Sequence, residues 1–336
     1  MNCLKIEIKP TSSFVTKIES DTLFGVFCWN LLYKYGENRL VDLLKNFDKE
    51  PFVVFSNAFF ADKLPKPYLK PVMLNDKNVK DIKKTALLDK TDFINLLKDN
   101  ENKKTALTLT QINDLIRRRI DEKQTSKGDN IRGGFEENVE QTTNIIIQKN
   151  YIDRLGDYSN NKLFTVEETF YSKDTELNIF VKYSTSLITK DEIEEVFNLI
   201  GKNGFGKDKS TGKGKFNFSI EEEFEEKELL IPPPDDDFVL YWIMSLSNGY
   251  VENIDKNELL EYKFIQSHAK FPKMGGTAAS SDTPFKNPVV LLTPGSTFKP
   301  LIKKEYYGNA IKNVFASKYN DYWHSGYIIP FFFIGE

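Results

Sequence analysis

Residues 201–216 read GKNGFGKDKSTGKGKF, and they carry the densest phosphate chemistry in the chain. Glycines Gly201, Gly204, Gly206, Gly212 and Gly214 alternate with Lys202, Lys207, Lys209, Lys213 and Lys215. Phe205, Ser210 and Thr211 lie among them, and Asp208 is the only acid. Glycine permits φ > 0 and lets another backbone come close. Exposed backbone N–H groups in such a run form an anion-binding concavity, and lysines add point charges for phosphate. Gly201 to Lys207 fits the first part of a Walker loop, but Asp208 stands where magnesium binding needs Ser or Thr. Three readings therefore stand side by side: a nucleic-acid backbone site, which the composition favours, a solvated surface loop, and a mononucleotide site. Phe205 is either a base-stacking platform or a side chain packed beneath the loop.

Other residues offer less chemistry. The two histidines, His268 and His324, both fall late in the chain. His324 is expected among aromatics and His268 on a strand. No clustered Asp/Glu/His set has metal-ligand spacing. Cys3 and Cys28 have neither metal nor redox spacing, which implies buried free thiols in a reducing cytoplasm. No apolar run is long enough to span a bilayer. The net charge of −3 is unusual for a free-standing RNA-binding protein, so the basic character must be local. No catalytic residue, metal or cofactor is expected.

The elements that must position the loop follow from periodicity. Leu4–Ile8 alternates as a strand, and Ser20 to Gly36 reads as an apolar helix capped by Ser20 or Asp21. Ser20, Asp21 and Thr22 at that helix start are a second possible seat for phosphate. Asn38–Phe47 reads as a short helix and Phe52–Phe55 as a strand. Residues 80–148 are polar, carry Arg117–Arg119, and read as an insertion projecting from the fold. Leu163–Tyr171 and Leu177–Tyr183 read as a hairpin. Asp191–Ile200 is an amphipathic helix capped by Thr189, and Lys215–Ile220 is the strand leaving the glycine loop. Glu221–Glu228 is an acid-rich run, read as solvated surface, with a protein contact as the alternative.

These elements predict an α+β protein with two ferredoxin-like (RRM-like) modules and a projecting insertion in the N-terminal half. The first module is expected over residues 1–160, with the insertion at about 80–148. The second is expected over 161–336, carrying the glycine loop 201–216.

Several segments together resemble the RAMP superfamily of CRISPR systems. They are Asp21-Thr-Leu-Phe-Gly25, the GxGxxxSTGxG core at Gly204–Gly214, and the Leu292–Phe298 turn. Within it, Asn150-Tyr-Ile-Asp-Arg154 followed by Leu163-Phe164, and Leu64–Pro71, are similar to the fourth subunit of the type III-A Csm complex. That family often has His where this chain has Lys149, so no imidazole role carries over there. The resemblance implies a non-catalytic, cytoplasmic, RNA-binding assembly subunit. It would grip the 5′ repeat-derived tag of the CRISPR RNA and meet target RNA near the tag. It would bridge the large polymerase/cyclase-like subunit to the first backbone subunit, with no membrane contact. The insertion would then be the "thumb" wedged between guide and target. Asn150 and Arg154 would contact RNA, together with Ser20, Asp21, Thr22 and the glycine-loop residues. The alternative is a guide-processing endoribonuclease of the same superfamily, which would need a general base that neither late histidine supplies in the usual place.

Overall fold

A computed structural model describes residues 1–73, 78–129, 141–151, 162–250, 259–275, 284–312 and 323–335. The strand Asn2–Pro10 turns Leu4, Ile6 and Ile8 into the core, as its alternation requires. It lies between two antiparallel neighbours, Leu177–Tyr183 and Phe216–Glu221. Val53–Phe55 pairs on the far side of Leu177–Tyr183. Read across the sheet, the order is Val53–Phe55, Leu177–Tyr183, Asn2–Pro10, Phe216–Glu221. The helix Ser20–Tyr35 joins the first two of these strands in sequence, and Lys190–Asn203 joins the last two. This split β-α-β order is the ferredoxin-like one.

The two helices belong where they are for different reasons. Ser20–Tyr35 is apolar on most of its surface and buries Leu23, Phe24, Phe27 and Leu31. Lys190–Asn203 is amphipathic and buries Ile193, Val196, Phe197 and Ile200, after a capping box between Thr189 and Glu192. The cap of the first helix differs from expectation. Glu19 occupies the N-cap position without a side-chain cap, and Ser20 and Asp21 turn inward instead.

The first sheet has a fifth strand, Phe59–Phe60, beside Leu177–Tyr183, and another sheet, of four strands, has the order Leu259–Phe264, Thr297–Pro300, Tyr241–Ser245, Pro330–Ile334. Its sequence-to-space pattern repeats that of the first sheet. No helix connects its strands among the described residues. The apolar C-terminal stretch forms two strands, Trp323–Ile328 and Pro330–Ile334. The fold is therefore mixed α/β with several sheets.

Two expectations need correction. Leu177–Tyr183 does not form a hairpin with the preceding strand. It enters the first sheet, while Lys162–Tyr171 pairs along its whole length with Thr142–Tyr151. The strand, helix and loop around residue 201 consequently complete the first sheet, so a boundary at residue 160 would cut that sheet in two. The helices of the insertion, Lys90–Lys103 and Leu109–Asp129, do not project either. Phe93, Ile94, Leu97, Ile112 and Ile116 are buried in the main core, and Phe93 stacks on Phe331 with ring centroids 6.2 Å apart. Their apolar positions at helical spacing sit in a polar composition, which masked the burial.

Candidate nucleic-acid interface

The glycine loop is a folded object. The helix Lys190–Asn203 ends at Gly204 with φ 91°, whose N–H returns to the Ile200 carbonyl at 2.8 Å. Phe205 then plunges into the core, fully buried. Its N–H donates to the Gly214 carbonyl at 2.8 Å, closing the loop at its neck. At the crown, Asp208 is left-handed (φ 61°), Lys209–Thr211 form a 3₁₀ turn, and Gly212 is left-handed again (φ 86°). A Cβ on Gly214 would lie 2.1 Å from the Phe205 carbonyl oxygen, so only glycine closes this neck.

The run Thr11–Thr16, just after the first strand, forms the bed of the loop. Gly214 N–H donates to the Ser13 carbonyl, Lys215 N–H to Ser12 Oγ, and Lys207 N–H to Thr16 Oγ1. The amides of Thr211 and Gly212 are used inside the 3₁₀ turn. Most of the loop's backbone donors are thus already spent within the protein. The loop is a folded platform that holds side chains outward.

The lysines divide into two classes. Lys202, Lys207, Lys209 and Lys215 are exposed, and none forms an ion pair among the described residues. Lys213 is committed inward. Its Nζ donates to Glu168 Oε2 at 2.5 Å and to Ser13 Oγ at 3.0 Å, and lies 5.8 Å from the Phe170 ring centroid. Glu168, buried on the hairpin strand Lys162–Tyr171, also accepts from Ser13 Oγ at 2.8 Å. Lys149, on the opposite hairpin strand, bridges Asp208 at 2.7 Å and Glu168 at 3.4 Å. Burial opposes ionisation of Glu168. The bonds from Lys213, Ser13 and Lys149 outweigh it and hold the carboxyl below the usual range. The departure at Lys149 therefore has a role here: it neutralises the loop's single acid and ties hairpin to loop. Ser13, Thr16, Lys149 and Glu168 were not candidates from sequence; the only signal was the hydroxyl-rich run after the first strand.

Of the remaining candidates, Ser210 and Thr211 are exposed at the crown, beside the free lysines. Gly201 and Gly204 are buried, and Gly206 is half-buried against Thr16. Asn150 is exposed on the hairpin opposite Leu163. Arg154 lies outside the described residues. The outer hairpin face shows Ile146 and Leu163, each more than two-thirds exposed.

Ser20, Asp21 and Thr22 are not part of this surface. Asn248 N–H donates to Ser20 Oγ, and Asn248 Nδ2 donates to Asp21 Oδ1 at 3.0 Å. Lys270 Nζ reaches Glu19, Asp21 and Thr22 Oγ1 at 2.7–2.8 Å. His324 Nε2 lies 3.5 Å from Asp21 Oδ2. Burial raises the cost of the Asp21 charge, but Lys270 and His324 more than compensate and its carboxyl stays below the ordinary value. His324 is pushed from 6.5 to about 4, because burial disfavours its charged form more than Asp21 favours it. The expected aromatic setting for His324 is thus a buried polar junction, and the helix start is occupied by protein. Among the described residues, no group of three His, Cys, Asp or Glu side chains is placed to hold a metal.

The fold has solved counterparts. A chain of the crystal structure of the Csm3-Csm4 subcomplex in the type III-A CRISPR-Cas interference complex matches at 19% identity. The match covers 100% of both chains, with a TM-score of 0.57. Chains of the Csm1-Csm4 cassette in complex with cA4 and with pppApA match at 13% identity, with TM-scores of 0.54 and 0.53. Each covers 99% of this chain and 98% of the other. This chain shares the fold of those Csm-complex chains. No family model matches the chain, and no curated protein matches it in sequence. In this fold, the glycine loop sits between the split β-α-β sheet and the long hairpin, bonded to both.

Proposed function

We propose that the chain is a non-catalytic RNA-binding assembly subunit of a type III-A CRISPR interference complex. It grips the 5′ repeat-derived tag of the guide and bridges the large polymerase/cyclase-like subunit to the backbone subunits. The observation that carries this is a rigid glycine loop with four exposed, unpaired lysines, in a chain whose fold matches Csm-complex chains end to end. Phosphate contacts from such lysines position RNA, and base contacts specify it. The two sheets of repeated strand order support a reading as two ferredoxin-like modules. The hairpin Thr142–Tyr151 and Lys162–Tyr171, with Ile146 and Leu163 outward, suits the wedge between guide and target better than the packed helices do.

The test is to express the tagged chain with a type III-A locus and sequence the RNA that co-purifies. Guides sharing one 5′ tag, recovered with the large subunit, are the expected result. Random RNA, or no RNA, would refute the reading. The nuclease alternative is tested on labelled repeat RNA. Specific cleavage lost in His268→Ala would overturn the non-catalytic role.

A further inference from the structure

Among the described residues, the strand Phe216–Glu221 is the last strand of its sheet, paired with Asn2–Pro10 on one side and with no strand on the other. Edge strands in soluble proteins are ordinarily guarded by Lys, Pro, a bulge or a covering segment. This one reads FNFSIE, pairs in unbroken register over six residues, and bears no charge before its final Glu221. Phe218 and Ile220 are only partly covered; Phe218 packs on Phe197 of the helix Lys190–Asn203. Between strand and helix runs a groove of about 550 Å³ lined by Asp191, Glu194, Glu195, Asn198, Phe218 and Ile220. Glu195 is engaged by Lys34 and by the Tyr35 hydroxyl. Asp191 and Glu194 are exposed and form no ion pair among the described residues. Lys190, at the mouth, is paired with Glu222.

We propose that this open edge docks an extended, basic segment of a protein partner, which adds a strand to the first sheet. Backbone bonds to Phe216–Glu221 would supply pairing, and alternate side chains would point into the groove. The apolar strip of Phe218 and Ile220 suits an aliphatic side chain, and the free carboxylates of Asp191 and Glu194 suit Lys or Arg. The same charge argues against RNA on this face. It also argues against a second copy, since edge-to-edge pairing would bring two acidic helices together. The inference does not depend on the RNA reading of the glycine loop.

The probe is a blocked nine-residue peptide alternating Lys and Val. Its controls are a Glu–Val counterpart and the Lys–Val peptide N-methylated on alternate amides. Binding to the full chain is followed by fluorescence anisotropy and located by hydrogen exchange. The Lys–Val peptide is expected to bind at least tenfold tighter than either control and to protect the amides of Phe216–Glu221. Asp191→Lys with Glu194→Lys should cost a further tenfold while circular dichroism keeps the wild-type fold. Equal binding of the N-methylated peptide would overturn the proposal, because charge alone would then suffice. So would protection appearing elsewhere, or a dimer in sedimentation whose edge amides are already protected.

Discussion

Lys213 shows that a lysine in a basic motif is not always a ligand contact. Lys213 and Lys149 hold the buried Glu168, and Lys149 also holds the half-buried Asp208, whereas Lys207, Lys209 and Lys215 face outward. Removing one partner of a buried pair leaves the other charge uncompensated, at a cost of about 3–5 kcal/mol. Lys213→Met should therefore lower stability by about 3 kcal/mol, moderated by Lys149, while Lys209→Ala should leave it within about 0.5 kcal/mol. Urea unfolding of both variants checks this; equal midpoints would show that Lys213 is not structural. His324 makes a second residue-scale prediction. Its native value of about 4 lies below the unfolded 6.5. Between those values the unfolded chain binds a proton that the native chain does not. The stabilising preference for neutral His324 is complete above pH 6.5 and is lost as pH falls toward 4. Going from pH 7 to pH 5 should cost about 2 kcal/mol at this one site. His324→Phe should flatten that dependence, and an unchanged slope would assign it to other groups.

At the scale of elements, the glycine loop is held from below. Phe205 is fully buried and its amide closes the neck on Gly214. Phe205→Ala should destabilise the protein by about 3–5 kcal/mol, the usual cost of emptying an aromatic core site. A stacking role would instead predict unchanged stability and weaker RNA binding. A calorimetric melt beside an RNA titration separates the two. The sequence made much of this scaffold legible. The alternation of Leu4, Ile6 and Ile8, the Thr189 capping box and the helix before the loop all stand where their patterns put them. Strand pairing was less legible, because Leu163–Tyr171 and Leu177–Tyr183 are neighbours in sequence and both read as strands. Only the sheet shows that the second belongs beside Asn2–Pro10. The inward turn of Asp21 was hidden too, since its partners Asn248, Lys270 and His324 lie more than two hundred residues away.

For the whole molecule, the net charge of −3 is spread so that the basic crown of the loop and the acidic groove beside Phe216–Glu221 occupy distinct surfaces. A modestly acidic protein can still hold RNA if a few lysines are fixed on a rigid platform, because affinity then comes from local counterion release. The residue type alone gave the loop its phosphate chemistry, but which lysines are free was decided by the hairpin, far off in sequence. The most direct measurement is the salt dependence of binding to single-stranded guide RNA carrying the 5′ tag. It compares the wild-type chain with the Lys207→Ala, Lys209→Ala, Lys215→Ala triple variant. Each single-strand phosphate contact contributes about −0.7 to the slope of log affinity against log salt, so the variant's slope should be shallower by about 2. Base preference should not change, and the melting temperature should match wild type. A triple variant with the wild-type slope and affinity would contradict the account, leaving the loop a solvated turn.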